Sequence, residues 1–279
     1  MTHPALQEGN VVVITGGALG IGRAAARYFA RAGLRVCLAD LPSDDLDAAA
    51  SEVSALAGNT DDVVAIPTDV GNTASLEALR DQVHDRFRQI DVLMNNAAAR
   101  TGGDVLSDMS DWHRAVDVNL WGVIHGVHTF LPDMLAQETH GCIINVGSKQ
   151  GMTNPPGNPV YNLCKAAVIS YTESLQHYLR NLEGANVTAC LLVPGWTTTG
   201  NRQHQPGAWL PDQVVERMVE GLTKGDFYIV CPDNEVSEDM DRKRILWGAG
   251  DITENRPPLS RWHGGYDEAF AAWSPPDRN

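Results

Sequence analysis

The sequence predicts an α/β protein: a single doubly wound parallel sheet of seven strands with helices on both faces, followed by a C-terminal extension. Three observations carry that class. Short apolar, β-branched runs alternate with longer helical patterns along most of the 279 residues, the order that builds a parallel sheet with crossover helices. The first such run leads into a glycine-rich turn and then a helix pattern that stops at Gly33. At 43% apolar residues the chain can bury one large core, and α/β domains of this length are commonly undivided.

Taken in order, Val11–Thr15 reads as the first strand (V-V-V-I-T), and the alanine-rich segment 21–32 as the first helix. R-V-C-L-A gives a second strand over 35–39. Ser43-Asp44-Asp45 then starts a helix over 44–57, a capping role preferred to a cation site. Strands follow at 63–66, 92–94, 142–146, 187–192 and 227–230, with helices at 73–88, 111–136, 161–182 and 211–221. No internal repeat or low-complexity tract interrupts them. Right-handed crossovers put every strand's C-terminal end on one edge of the sheet.

That edge receives the residues with chemistry. In T-G-G-A-L-G-I-G, Gly16, Gly20 and Gly22 remove side chains where the backbone turns sharply, where it approaches a pyrophosphate, and where helix packs on strand. Free N–H groups at the helix start then face the anion. Asp40, closing the second strand, is placed to accept from the adenosine ribose hydroxyls and to repel a 2′-phosphate; no Arg or Lys stands at Leu19 or Leu41, so NAD is expected rather than NADP. Further along, Tyr161 and Lys165 stand four apart, on one face of a helix. A cation within about 4–6 Å favours the phenolate, and lowering a tyrosine pKa by about three units takes roughly 4 kcal/mol.

With these residues placed, the chain resembles the classical short-chain dehydrogenase/reductase family over about residues 8 to 232. Thr15 to Gly22 match its T-G-x-x-x-G-x-G turn, with Leu19 and Ile21 inside it. Asp69-Val70 look like the pair that contacts adenine, and Asn95-Asn96-Ala97-Ala98 resemble N-N-A-G, with Ala98 in place of the usual glycine. Asn119 matches the asparagine of the following long helix, Ser148 stands thirteen residues before Tyr161, and Pro194-Gly195 follow the sixth strand, with Trp196 and Thr197 next. The resemblance implies a single-domain Rossmann fold over 1–232, with 233–279 as an extension, and a cytoplasmic homodimer or homotetramer built on the helices carrying Asn119 and Tyr161. It also implies reversible hydride transfer between NAD and a secondary alcohol. In it Tyr161 moves the hydroxyl proton, Ser148 binds the substrate oxygen, Lys165 tunes Tyr161 and holds the nicotinamide ribose, and Asn119 anchors a water leading to solvent. A sugar epimerase or dehydratase of the extended branch also uses YxxxK, but its last two glycines stand three apart where Gly20 and Gly22 stand two apart. A silent NAD-binding regulator would normally lack one of Ser148, Tyr161 and Lys165.

The remaining residues bound the function. A formal net charge of -14 argues against nucleic acid or an anionic membrane surface as a partner. Residues 1–10 are short and polar, so no signal peptide is expected, and no run of about eighteen apolar residues predicts a membrane span. Five dispersed cysteines suit small buried hydrophobes in a reducing compartment. His125 and His128 share a helix face but lack a third ligand, so no metal is expected. Met152, Val160, Trp196 and Trp209 are candidate cleft residues, Met152 and Trp196 foremost with Ser148 and Tyr161, and they suggest a hydrophobic or ring-bearing alcohol. The extension carries Trp247, Trp262, Tyr266, Phe270 and Trp273. These pack either on the chain's own body or its oligomer, or over the substrate, a role open above all to Trp247.

Overall fold

The computed structural model describes residues 3–99, 103–200 and 202–277. Its seven strands are β1 (Val11–Thr15), β2 (Arg35–Asp40), β3 (Val63–Pro67), β4 (Val92–Asn95), β5 (Gly141–Val146), β6 (Val187–Val193) and β7 (Tyr228–Val230). All pair in parallel, in the order β3-β2-β1-β4-β5-β6-β7. The order reverses between β1 and β4, and a crevice opens there at the strands' C-terminal ends.

Helices α1 (Gly20–Arg31), α2 (Asp44–Ser54) and α8 (Pro211–Lys224) cover one face; α3 (Thr73–Phe87), α5 (Gly122–Ala136) and α7 (Pro159–Asn181) cover the other. Strand alternation divides the core between them. Val12 and Ile14 of β1 pack with Phe29 and Met218, whereas Val11 and Val13 pack with Leu79, Phe130 and Leu175. With both faces covered, β1, β4 and β5 are buried along their whole length, which is why they read as unbroken apolar runs.

Asp91 fastens the strand starts. It is wholly buried; one carboxylate oxygen accepts from the Val11 amide and from Gln89 Nε2, both at 2.8 Å, and the other accepts from Thr139 Oγ1 at 3.0 Å.

The long helix expected over 111–136 is interrupted. It comprises α4 (Met109–Val116), a π-helical turn over Asp117–Trp121, and α5. The cause lies in Asn119, which is fully buried: its side chain donates to the Ala99 carbonyl at 2.8 Å and accepts from the Ala99 amide at 3.1 Å. The wider turn places this residue inward, where it holds the segment after β4. A short helix, α6 (Lys149–Thr153), and a start of α7 at Pro159 are additions to the expected elements.

The extension forms α9 (Glu238–Thr253), two 3₁₀ turns (Ser260–Trp262 and Gly264–Tyr266) and α10 (Asp267–Ala272). Trp247 is buried within it rather than over a cleft. Its indole N–H donates to Ser260 Oγ at 2.7 Å, Phe270 and Trp273 meet its ring edge-on at 5.3 and 5.6 Å, and the Arg256 guanidinium lies 4.1 Å from the ring centroid. A substrate role for Trp247 is thereby corrected: with Phe270 and Trp273 it forms the small core of the tail. Lys149 joins that unit to the body, with Nζ 2.6 Å from Asp241 and 3.3 Å from Asp233.

Among the described residues no helix is long and apolar enough to cross a membrane.

Candidate active site

One cavity of about 1360 Å³ runs across the crevice at the strand ends. At one end, β1 turns into α1. Gly16 has φ +66° and Gly20 φ +56°, and a Cβ on Gly16 would stand 2.7 Å from the Ala97 Cα. A Cβ on Gly22 would collide with the Gly16 carbonyl and lie 2.6 Å from Asn96 Nδ2. Leu19 enters α1 in extended conformation without a side-chain cap, and no acidic residue occupies the first turn. The helix N-terminus therefore keeps its N–H groups and positive dipole end for an anion.

Asn96 locks this turn to β4. Its side chain donates to the Thr15 and Gly16 carbonyls at 2.9 and 3.0 Å, while Thr15 Oγ1 accepts from the Asn96 and Ala97 amides at 3.0 and 3.2 Å. Asn95 points into the sheet, donating to Asn145, which donates to Thr172.

Asp40 ends β2 at the cavity wall, accepting from the Ala18 amide at 3.0 Å and from the Leu41 amide at 2.8 Å. Asp69 and Val70 form the next stretch of wall, and Asp69 accepts from the Gly71 amide at 2.9 Å.

At the far end stand Ser148, Tyr161 and Lys165. Ser148 follows β5 as the cap of α6, its Oγ accepting from the Gln150 amide at 3.2 Å, so the hydroxyl proton remains available to a ligand oxygen. A Cβ on Gly151 would stand 2.7 Å from the Ala166 amide; its absence lets α6 press on α7 and brings Ser148 onto the same wall as Tyr161. Lys165 is 2% exposed, donates to the Val146 carbonyl at 2.7 Å, and holds its ammonium 5.7 Å from the Tyr161 ring centroid.

Of the expected site residues, Gly16, Leu19, Gly20, Ile21, Asp40, Asp69, Val70, Asn96, Ala97 and Ala98 line the cavity. So do Ser148, Tyr161, Lys165, Pro194, Gly195, Trp196 and Thr197. Gly22 lies behind the turn and Asn119 behind the Ala99 backbone. The structure corrects the apolar cleft candidates. Met152 packs against Val123, Val168, Leu191 and Val193; Val160 is buried with Ala115 and Cys164; Trp209 joins the core. Only Trp196 of the four faces the cavity.

His125 stacks on Trp121 at 5.6 Å, and among the described residues no three His, Cys, Asp or Glu side chains are grouped to hold a metal ion. All five cysteines are buried, and burial pushes the thiols of Cys37 and Cys231 up, the latter to about 12.

Sequence reasoning missed a polar part of the wall. Gln150, Lys149, Asp233, Arg244 and Arg261 border the same space near Ser148. The two arginines come from the extension, where the basic run M-D-R-K-R in an acidic chain was an available signal for Arg244, while Arg261 stands alone in L-S-R-W.

A family model described as short chain dehydrogenase matches residues 10–207. The 3-oxoacyl-acyl-carrier-protein reductase of Thermotoga maritima is 32% identical over 221 residues, spanning 79% of this chain and 85% of its own. The meso-2,3-butanediol dehydrogenase of Serratia marcescens is 34% identical over 169 residues, covering 60% of this chain and 64% of its own. Among solved structures, a short chain dehydrogenase/reductase from Burkholderia phymatum in complex with NAD superposes with a TM-score of 0.82 at 31% identity, covering 92% of this chain and 98% of that one.

Proposed function

The chain belongs to the short chain dehydrogenase family, an oxidoreductase family, and from that membership we propose that it interconverts a secondary alcohol and its ketone with NAD. The observation that carries the reading is the content of one cavity: Ser148, Tyr161 and Lys165 at one end, the side-chain-free turn and Asp40 at the other. The residues fit a dinucleotide. Gly16, Gly20 and Ile21 offer amides at a helix N-terminus to a pyrophosphate, Asp40 offers a carboxylate to ribose hydroxyls, and Asp69 and Val70 flank the adenine end. NAD, when bound, supplies the hydride acceptor or donor.

The chain's own groups handle the proton and the oxygen. Ser148 donates its hydroxyl to the substrate oxygen and stabilises the charge that develops there. Tyr161 takes the alcohol proton in oxidation and returns it to the ketone oxygen in reduction. Lys165, its ammonium held by the Val146 carbonyl, favours the phenolate by charge and reaches towards the nicotinamide ribose. Asn119 acts here through the segment it holds, keeping residues 95–99 against the cavity.

Trp196 gives a flat apolar surface for a ring-bearing substrate. Residues 1–232 serve as the cofactor-binding body, and 233–279 complete the substrate end; the protein acts in the cytoplasm as a homodimer or homotetramer. The test is a screen of secondary alcohols and ketones followed at the reduced-nicotinamide absorbance. Turnover that NAD supports in the wild type and that Tyr161→Phe abolishes is the expected result; no turnover with any alcohol or ketone would contradict the proposal.

A further inference from the structure

From the two arginines that the extension places in the cavity wall, we infer that the substrate carries a carboxylate, held by Arg244 and Arg261 while its reacting oxygen lies at Ser148 and Tyr161. The inference rests on the oxidoreductase reading and adds the substrate's charge to it.

Arg244 projects from α9 and Arg261 from the turn after it, and both border the cavity that Ser148, Tyr161 and Trp196 line. Arg244 Nε and Arg261 Nη1 are buried yet have no hydrogen-bond partner among the described residues. Those two nitrogens are sealed from the cavity, but neither arginine side chain donates a hydrogen bond among the described residues and both residues line the cavity, so their other guanidinium N–H groups are uncommitted and available to a ligand.

The charges around them do not balance internally. Lys149, Arg244 and Arg261 are the cations and Asp233 and Asp241 the carboxylates, which leaves one positive charge in excess. A single carboxylate neutralises that excess. Lys149 is already committed to Asp233 and Asp241, whereas neither arginine makes an ion pair within 4 Å among the described residues.

The two guanidiniums also disfavour one another. Partial burial and the neighbouring Arg244 push Arg261 down to about 10, which still leaves it charged at neutral pH. Asp241 offsets part of that cost through its charge but pairs with Lys149, so among the described residues neither guanidinium has a counter-charge at ion-pair distance, an arrangement that marks a candidate functional site. The Arg261 plane is fixed, lying 3.8 Å from the Trp262 ring centroid, so its fork is oriented before a ligand arrives.

The position along the cavity separates this anion from the cofactor's phosphates, whose place is the glycine turn at the opposite end. The arginines are also held in register with the reacting centre. Asp241 of α9 grips Lys149 of α6, the helix that Ser148 caps.

The experiment compares ketone acids with their methyl esters: 4-acetylbenzoate with methyl 4-acetylbenzoate, and levulinate with methyl levulinate. Binding to the enzyme–NADH complex is read by calorimetry and turnover by absorbance, for wild type, Arg244→Gln, Arg244→Lys and Arg261→Gln. A charge-assisted, bidentate contact is worth at least about tenfold in affinity. The acid of a matched pair should therefore bind about tenfold or more tighter than its ester in the wild type. Each glutamine variant should collapse that ratio, and Arg244→Lys should recover part of it. NADH affinity and melting temperature, measured on the same samples, should stay near wild type and show that the variants are folded.

Acid and ester binding alike in every pair, or an acid preference that survives both glutamine variants, would overturn the inference. So would a parallel loss of NADH affinity, which would assign the arginines to the cofactor. Arginine-dependent acid binding without turnover of any ketone would instead sink the dehydrogenase reading and leave this one standing.

Discussion

Replacing Asp40 tests the cofactor choice, and two substitutions separate its two effects. One carboxylate oxygen accepts from the Ala18 amide at 3.0 Å and the other from the Leu41 amide at 2.8 Å, so the group both shapes the turn and supplies charge. A phosphate on the adenosine 2′-oxygen would face that charge. At roughly 5 Å and an effective dielectric of about 20, each pair of like charges costs about 3 kcal/mol. The neighbouring Leu41 is 54% exposed, so solvent and salt reduce this to about 1–2 kcal/mol. That corresponds to about a five- to thirty-fold preference for NAD from charge alone. Asp40→Asn keeps an oxygen for the Ala18 amide and removes the charge, so it should narrow the NADH-to-NADPH affinity ratio by that factor, with a smaller fall in melting temperature than the alanine variant because only the exposed Leu41 amide loses its acceptor. Asp40→Ala also strips two amides of their acceptor, at about 1 kcal/mol each, and should weaken NADH binding and lower stability besides. Nucleotide fluorescence titrations of both cofactors, with thermal melts, provide the assay. A wild type that binds NADH and NADPH equally, or an Asn variant with an unchanged ratio, would refute the reasoning.

Asp91→Ala should cost about 3–5 kcal/mol, seen as a large fall in urea midpoint, because it leaves the buried Val11 amide, Gln89 and Thr139 without their shared acceptor; a shift below about 1 kcal/mol would contradict it. Truncation after Trp247 removes Ser260, Phe270 and Trp273 from around its indole and should lower the melting temperature by several degrees, at about 3 kcal/mol for an uncovered tryptophan. If stability, oligomeric state and kinetics all stay unchanged, the tail is dispensable. Light scattering should report a dimer or tetramer: Trp121, beside α5, and Leu163 and Tyr178, on α7, are 46%, 50% and 54% exposed in the single chain, on the helices that the family pairs across a two-fold axis. A monomer at micromolar concentration would oppose that assembly.

Most of the sheet was legible because buried parallel strands announce themselves as unbroken apolar runs, as V-V-V-I-T does. The cofactor end was legible because glycine carries a backbone requirement: Gly16 and Gly22 sit where any side chain would strike Ala97, Asn96 or the turn itself. What failed to show was whatever depends on tertiary contact. Residues 109–136 have helical periodicity throughout, so nothing local marks the π-helical turn that Asn119 forces by binding Ala99. Met152 and Val160 lie close to Ser148 and Tyr161 in sequence, yet local spacing does not say that they turn into the core. In the extension Phe270 and Trp273 close around Trp247, while the arginines beside them reach the cavity through the Lys149–Asp241 link, a contact between residues 92 positions apart that no local pattern encodes.

Tyr161→Phe tests proton and hydride transfer at Ser148, Tyr161 and Lys165 most directly. The substitution keeps the ring that faces the cavity and removes only the transferable proton. With a secondary alcohol that the wild type oxidises with NAD, the variant should bind NADH with nearly wild-type affinity and lose almost all turnover, at least about a thousandfold. Turnover within a few-fold of wild type would contradict the account.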